Sequence, residues 1–120
     1  MKRVDVEEKK KYLSGYQESK RAVERLEEEL KELGEAGRGI ENKEMQQDIK
    51  KKIVNERYKR IRSFEEVRGK IEKMENETEK EALVYRHIRG LTEEKAARCM
   101  NYTTRQFQRI YRRAVEHFRM

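Results

Sequence analysis

The chain has 120 residues, of which 46% are charged and 34% hydrophobic, with no Pro, no Trp and six Gly. So much charge cannot enclose one large globular core, and a Pro-free chain rich in Glu, Lys, Arg and Leu favours long helices. The net charge of +7 suits a polyanionic partner; no signal-peptide pattern or run near the ~18 apolar residues of a membrane span occurs, so a cytoplasmic protein is expected.

Residues 1–3 are a basic start. From about Val4 to Leu33 the only helix breaker is Gly15. Tyr16, Val23 and Leu30 are spaced by seven, and Tyr12, Ser19, Leu26 and Leu33 form a second seven-spaced set. Offsets of four and three make this an a/d seam, imperfect at Ser19. The spacing predicts a helix of about thirty residues, roughly 45 Å long. Gly34, Gly37 and Gly39 should end it. Their spacing in GEAGRG is too close for a nucleotide-binding fingerprint, so Gly34 reads as a helix stop before a flexible turn.

A second long helix is predicted from Ile40–Asn42 to about Met74. Met45, Ile49, Ile53, Val54, Tyr58 and Ile61 form one apolar group; Phe64, Val67, Ile71 and Met74 form another on a different phase. The slip falls near Ser63, which also has capping-box spacing to Glu66, so a bend or break is expected there. Residues 1–75 carry 21 basic and 18 acidic side chains, a near balance. Two arrangements fit: an antiparallel hairpin within one chain, or a parallel homodimeric coiled coil through residues 4–75. Neither helix is apolar enough to stand alone.

Residues 76–120 read as a separate domain of three helices. Asn76 and Glu79 have capping-box spacing at the start, and Gly90 stands where a helix stop is wanted. Thr92 can cap a short helix ending at Met100, with Glu93 and Glu94 in its first turn. Asn101-Tyr102 makes a turn, and Thr103 with Gln106 forms a capping box for the last helix. The expected core is Ala82, Leu83, Ile88, Leu91, Ala97, Met100, Phe107, Ile110, Tyr111, Ala114 and Phe118. Residues 101–120 hold five Arg against Glu116 alone. A short capped helix, a tight turn, then a helix with one apolar and one Arg/Gln face is the sequence form of a helix-turn-helix.

The order of Glu79, Leu83, Arg86, Gly90, Leu91, Thr92, Ala97, Met100, Asn101, Thr103, Phe107 and Ala114 resembles the C-terminal, promoter-reading region 4 of bacterial sigma factors. Lys95-Ala96 replaces the usual Glu-Ile, and His87 replaces the usual Tyr or Phe. With KKYLSGY and the charged helices before it, the whole chain is similar to a family of small phage and prophage proteins. These join an uncharacterised helical half to a sigma-like helix-turn-helix and are regarded as transcription regulators akin to phage late-gene activators. The resemblance implies a bacterial, nucleoid-associated protein that binds double-stranded DNA, and a contact with RNA polymerase as related sigma domains make. The other sigma regions are missing, so promoter melting is not implied.

In a helix-turn-helix the second helix enters the major groove. Thr104, Arg105, Gln108 and Arg109 occupy the exposed positions of its first two turns and are the expected base contacts. Arg can contact guanine and Gln adenine bidentately. Thr92, Thr103, Arg112 and Arg113 are the expected phosphate contacts. The alternative is a coiled-coil adaptor whose helix-turn-helix binds protein. His87 and His117 lack further ligands at metal spacing, and Cys99, the one cysteine, excludes an intramolecular disulfide. No nucleophile–base arrangement is readable, so no enzyme, cofactor or metal is expected.

Overall fold

The computed structural model describes residues 6–37 and 39–120 and, among them, is all-α. The helices are α1 (Val6–Leu13), α2 (Gly15–Ala36), α3 (Ile40–Glu72), α4 (Glu77–Leu83), α5 (Glu93–Cys99) and α6 (Thr104–His117), with Val84–Ile88 continuing α4 as a π-helical turn. The predicted helix start at Val4 and the basic residues 1–3 lie outside the described residues.

α1 and α2 form one rod with a single interruption. Ser14 keeps helical angles (φ −76°, ψ −8°). Its N–H donates to Lys10 O, and its carbonyl accepts from Glu18 N, so the ladder crosses the break beside Gly15. Gly34 does not end the helix. The stop comes at Gly37, whose φ of 139° only glycine adopts cheaply. Asn42 then ties the connection, its Nδ2 donating to Leu33 O at 2.9 Å and Gly37 O at 2.6 Å.

Within the chain, α2 and α3 pack antiparallel. Tyr16 meets Phe64 edge-on at 5.1 Å between ring centroids, and Glu27 pairs with Arg57 at 3.2 Å. The seven-spaced seam faces this contact: Val23 is buried, and Tyr16, Ser19, Leu26, Leu30 and Leu33 are half-buried. The hairpin, not a break, resolves the phase slip in α3. The helix runs through Ser63 without interruption, and Glu66 pairs with Arg62 rather than capping. Ile49, Ile53, Val67 and Ile71 are buried and Phe64 is half-buried on one face. Val54, Tyr58 and Ile61, which the sequence reading groups with Ile49 and Ile53, lie about 120° round the helix from this face at 100° per residue. They are 64, 66 and 54% exposed, and Met45 is 51% exposed.

Of the expected core, Ala82, Leu83, Ala97, Phe107, Tyr111, Ala114 and Phe118 are buried, Ile88, Leu91, Met100 and Ile110 are half-buried against them, and Ala96 and Val115 are buried in addition. Their core is not closed by residues 76–120. Leu13 from α1 and Val67 and Ile71 from the end of α3 complete the same cluster, while Tyr12 meets Phe118 at 6.0 Å. Lys9 Nζ also donates to Glu116 O at 2.8 Å.

Leu13 is 0% exposed, so Leu13→Ala should destabilise the chain by about 2–5 kcal/mol in urea unfolding. Near-UV circular dichroism should report Tyr111 of α6 loosening in the same transition. An unchanged midpoint would mean that α1 does not support the C-terminal helices.

Candidate nucleic-acid interface

α6 is positioned by its caps and by two histidines. Thr103 Oγ1 accepts from Gln106 N at 3.1 Å, and Gln106 Oε1 accepts from Thr103 N at 2.9 Å, a complete capping box. Thr92 Oγ1 caps α5 by accepting from Lys95 N. Between these helices Asn101 takes a left-handed φ of 61°. Tyr102 N donates to Ala97 O and Asn101 N to Arg98 O, which is a Schellman ending with Asn in the position glycine usually fills. The turn therefore fixes where α6 starts relative to α5.

At the other end, His117 Nδ1 donates to Glu79 Oε1 at 2.7 Å. The predicted capping box at Asn76 is thus half made. Asn76 Oδ1 accepts from Glu79 N, but the Glu79 carboxylate is turned to α6. In the middle, His87 Nε2 and Tyr111 Oη are 2.7 Å apart and buried. Burial, then the charges of Arg86 and Lys10, push the His87 pKa down to about 4. Burial likewise pushes Tyr111 up to about 12. The pair is neutral at pH 7 and clamps the π-helical turn to α6. Gln17 of α2 supports that turn, its Nε2 donating to the Ile88 and His87 carbonyls. Both histidines therefore brace α6 through hydrogen bonds, one in the core and one near its C-terminal end.

The opposite face of α6 is open. At 100° per residue, Arg112, Arg105 and Arg109 fall within an arc of about 60°, with Gln108 about 40° beyond one edge and Arg113 about 40° beyond the other. All five are exposed, whereas Thr104, expected at an exposed position, is half-buried and projects on the core side of α6, within about 20° of Tyr111 and of Val115. Among the described residues, Arg105, Arg109 and Arg113 have no ion-pair partner, while Arg112 pairs loosely with Glu116 at 3.6 Å. Gln108 Nε2 donates to Glu93 Oε2 at 2.9 Å, which stiffens it against α5. Thr92 and Thr103 are exposed; their oxygens serve as caps, leaving each hydroxyl hydrogen to donate outward.

A cleft of about 570 Å³ between α1–α2 and the C-terminal helices, which α6 reaches only through Tyr111, was not legible in the sequence. Lys10, Lys20 and Arg21 from α1–α2 line it together with Arg86, Tyr111 and Glu93. These cations come from the charge-balanced half of the chain, so no local signal linked them to α6.

The native His87 pKa of about 4 lies below its ordinary 6.5. The unfolded state therefore takes up the proton first as pH falls. Stability should be complete above pH 6.5 and fall by about 3 kcal/mol on acidification to pH 4. His87→Phe should remove most of that slope, read as the pH dependence of the urea midpoint; an equal slope in the variant would contradict the assignment. For the turn, Asn101→Val should cost about 1–2 kcal/mol by forcing a β-branched residue to positive φ, and Asn101→Gly should cost nothing. Equal stability of the two variants would exclude that backbone role.

No family model, curated protein or solved structure matches this chain.

Proposed function

We propose that the chain is a sequence-specific double-stranded DNA-binding transcription regulator in which α6 and its cap, residues 103–119, enter the major groove. The observation that carries this reading is the sidedness of α6. One face is fixed in a core by Phe107, Tyr111, Ala114 and Phe118, and the other presents unpaired Arg105 and Arg109 to solvent. A rigid helix with exposed guanidiniums meets the geometric need of base readout, since bidentate Arg contacts require the helix axis to be set before binding. Arg105, Gln108 and Arg109 are the base contacts. Arg112, Arg113, Thr92 and Thr103 position the phosphates. The resemblance to sigma region 4 and to small phage and prophage regulators supports the same use of residues 76–120.

A second reading is a protein-interaction adaptor, with RNA polymerase among its partners. The exposed apolar residues of α3 favour it, because DNA binding by α6 gives them no task. It predicts partner capture that is independent of DNA and insensitive to salt.

Neutralising about five phosphates should give a slope near −4.5 for log affinity against log salt. The Arg105→Ala, Arg109→Ala double variant should lose its footprint on a selected duplex, because each bidentate contact contributes about 1–3 kcal/mol of discrimination. Both side chains are exposed, so its circular dichroism and melting should match the parent. An unchanged footprint would rule out this face of α6 as the reading surface.

A further inference from the structure

α3 has a second face that the chain does not cover. Val54, Tyr58 and Ile61 sit at i, i+4 and i+7, each more than half exposed. Three large apolar side chains in one stripe form a contiguous patch, which marks a contact surface more than scattered exposed residues do.

The charges along the same line say what covers it. At 100° per residue, Lys43, Lys50, Val54, Ile61, Glu65 and Glu72 lie within an arc of about 60°. The stripe is apolar at its centre, with the two lysines toward the N-terminal end and the two glutamates toward the C-terminal end; Arg68 lies at the edge of the same arc, its guanidinium over the Phe64 ring. All four charges are exposed. Among the described residues none of them forms an ion pair; the pairs that α3 makes use Glu56 with Lys59, Arg62 with Glu66, and Arg57 with Glu27.

We propose that this face binds a second copy of the chain, α3 against α3, antiparallel about a two-fold axis passing between Arg57 and Tyr58. That axis sets Val54 of each copy against Ile61 of the other. It sets Lys50 against Glu65 and Lys43 against Glu72, twice each, as an isologous contact requires. Gln47 then faces Arg68, with no like-charge opposition. Parallel pairing in register would set Lys43 against Lys43 and Glu72 against Glu72, and like charges so placed oppose association. The pairing does not rest on DNA binding. It would leave the two α3 C-termini, and with them the α6 helices, at opposite ends of a rod about 45 Å long.

The test is the mass of the full chain in solution by sedimentation equilibrium up to about 100 µM, without DNA and with a reductant, because Cys99 is exposed. The expected result is twice 14.7 kDa. Val54→Glu with Ile61→Glu should give a monomer of unchanged helicity. Lys50→Glu and Glu65→Lys should each weaken dimerisation roughly tenfold, and the two together should restore it, because the reversed charges still face each other. A monomeric wild type overturns the proposal and leaves the stripe to a different protein. A dimer that survives Val54→Glu with Ile61→Glu overturns the surface, and failure of the double charge reversal to restore binding overturns the antiparallel register.

Discussion

The structure depends on one shared core. Phe107 and Phe118 of α6 are fully buried, yet the short helices α4 and α5 contribute mainly alanines and Leu83 to cover them. Leu13 from α1 and Val67 and Ile71 from the end of α3 supply the rest. This explains why the two long helices must form a hairpin: only an antiparallel return brings residue 13 and residues 67–71 to the same end. The hairpin is therefore part of the support for α6. Polar contacts from α1 and α2 follow the same logic, with Lys9 holding the end of α6 and Gln17 holding the π-helical turn.

That arrangement makes α6 a braced helix. Its inner face is fixed at three levels, by the capping box at Thr103, by the neutral His87–Tyr111 pair and by the Glu79–His117 contact. Each is a modest interaction alone, about 0.5–1.5 kcal/mol for a neutral hydrogen bond and somewhat more where a carboxylate accepts. Together they set rotation and height as well as stability. The arginines can then be unpaired in the free protein without the helix losing its place. On the outer face Gln108 is held by Glu93 and Arg112 pairs loosely with Glu116, and engagement of Gln108 with a base would require exchange of its hydrogen bond.

Local signals in the sequence were sufficient wherever the determinant was local. The caps at Thr92 and Thr103, the turn at Asn101 and the apolar face of α6 all follow from residue type and spacing over three or four positions. The seam of α2 was legible for the same reason. What failed had non-local causes. Val54, Tyr58 and Ile61 have helical spacing and hydrophobic character, but which stripe of α3 is buried is decided by where α2 lies. Ser63 and Glu66 have capping-box spacing, yet continuous packing against α2 keeps the helix unbroken. The contribution of Leu13 to the C-terminal core spans more than ninety residues of sequence, and nothing near Leu13 announces it. The stripe on α3 is an exposed surface because the hairpin covers a different side of the helix. Its Lys and Glu flanks read as balanced charge in composition, although their order along the helix distinguishes one end from the other.

The central proposal is that the outer face of α6 reads base sequence. The most direct measurement is selection from a random duplex library by the immobilised full chain at physiological salt, followed by sequencing of the bound fraction over several rounds. The account predicts progressive enrichment of one short motif, with guanines opposite the guanidiniums of Arg105 and Arg109. A bound fraction whose sequences remain as random as the input would contradict it.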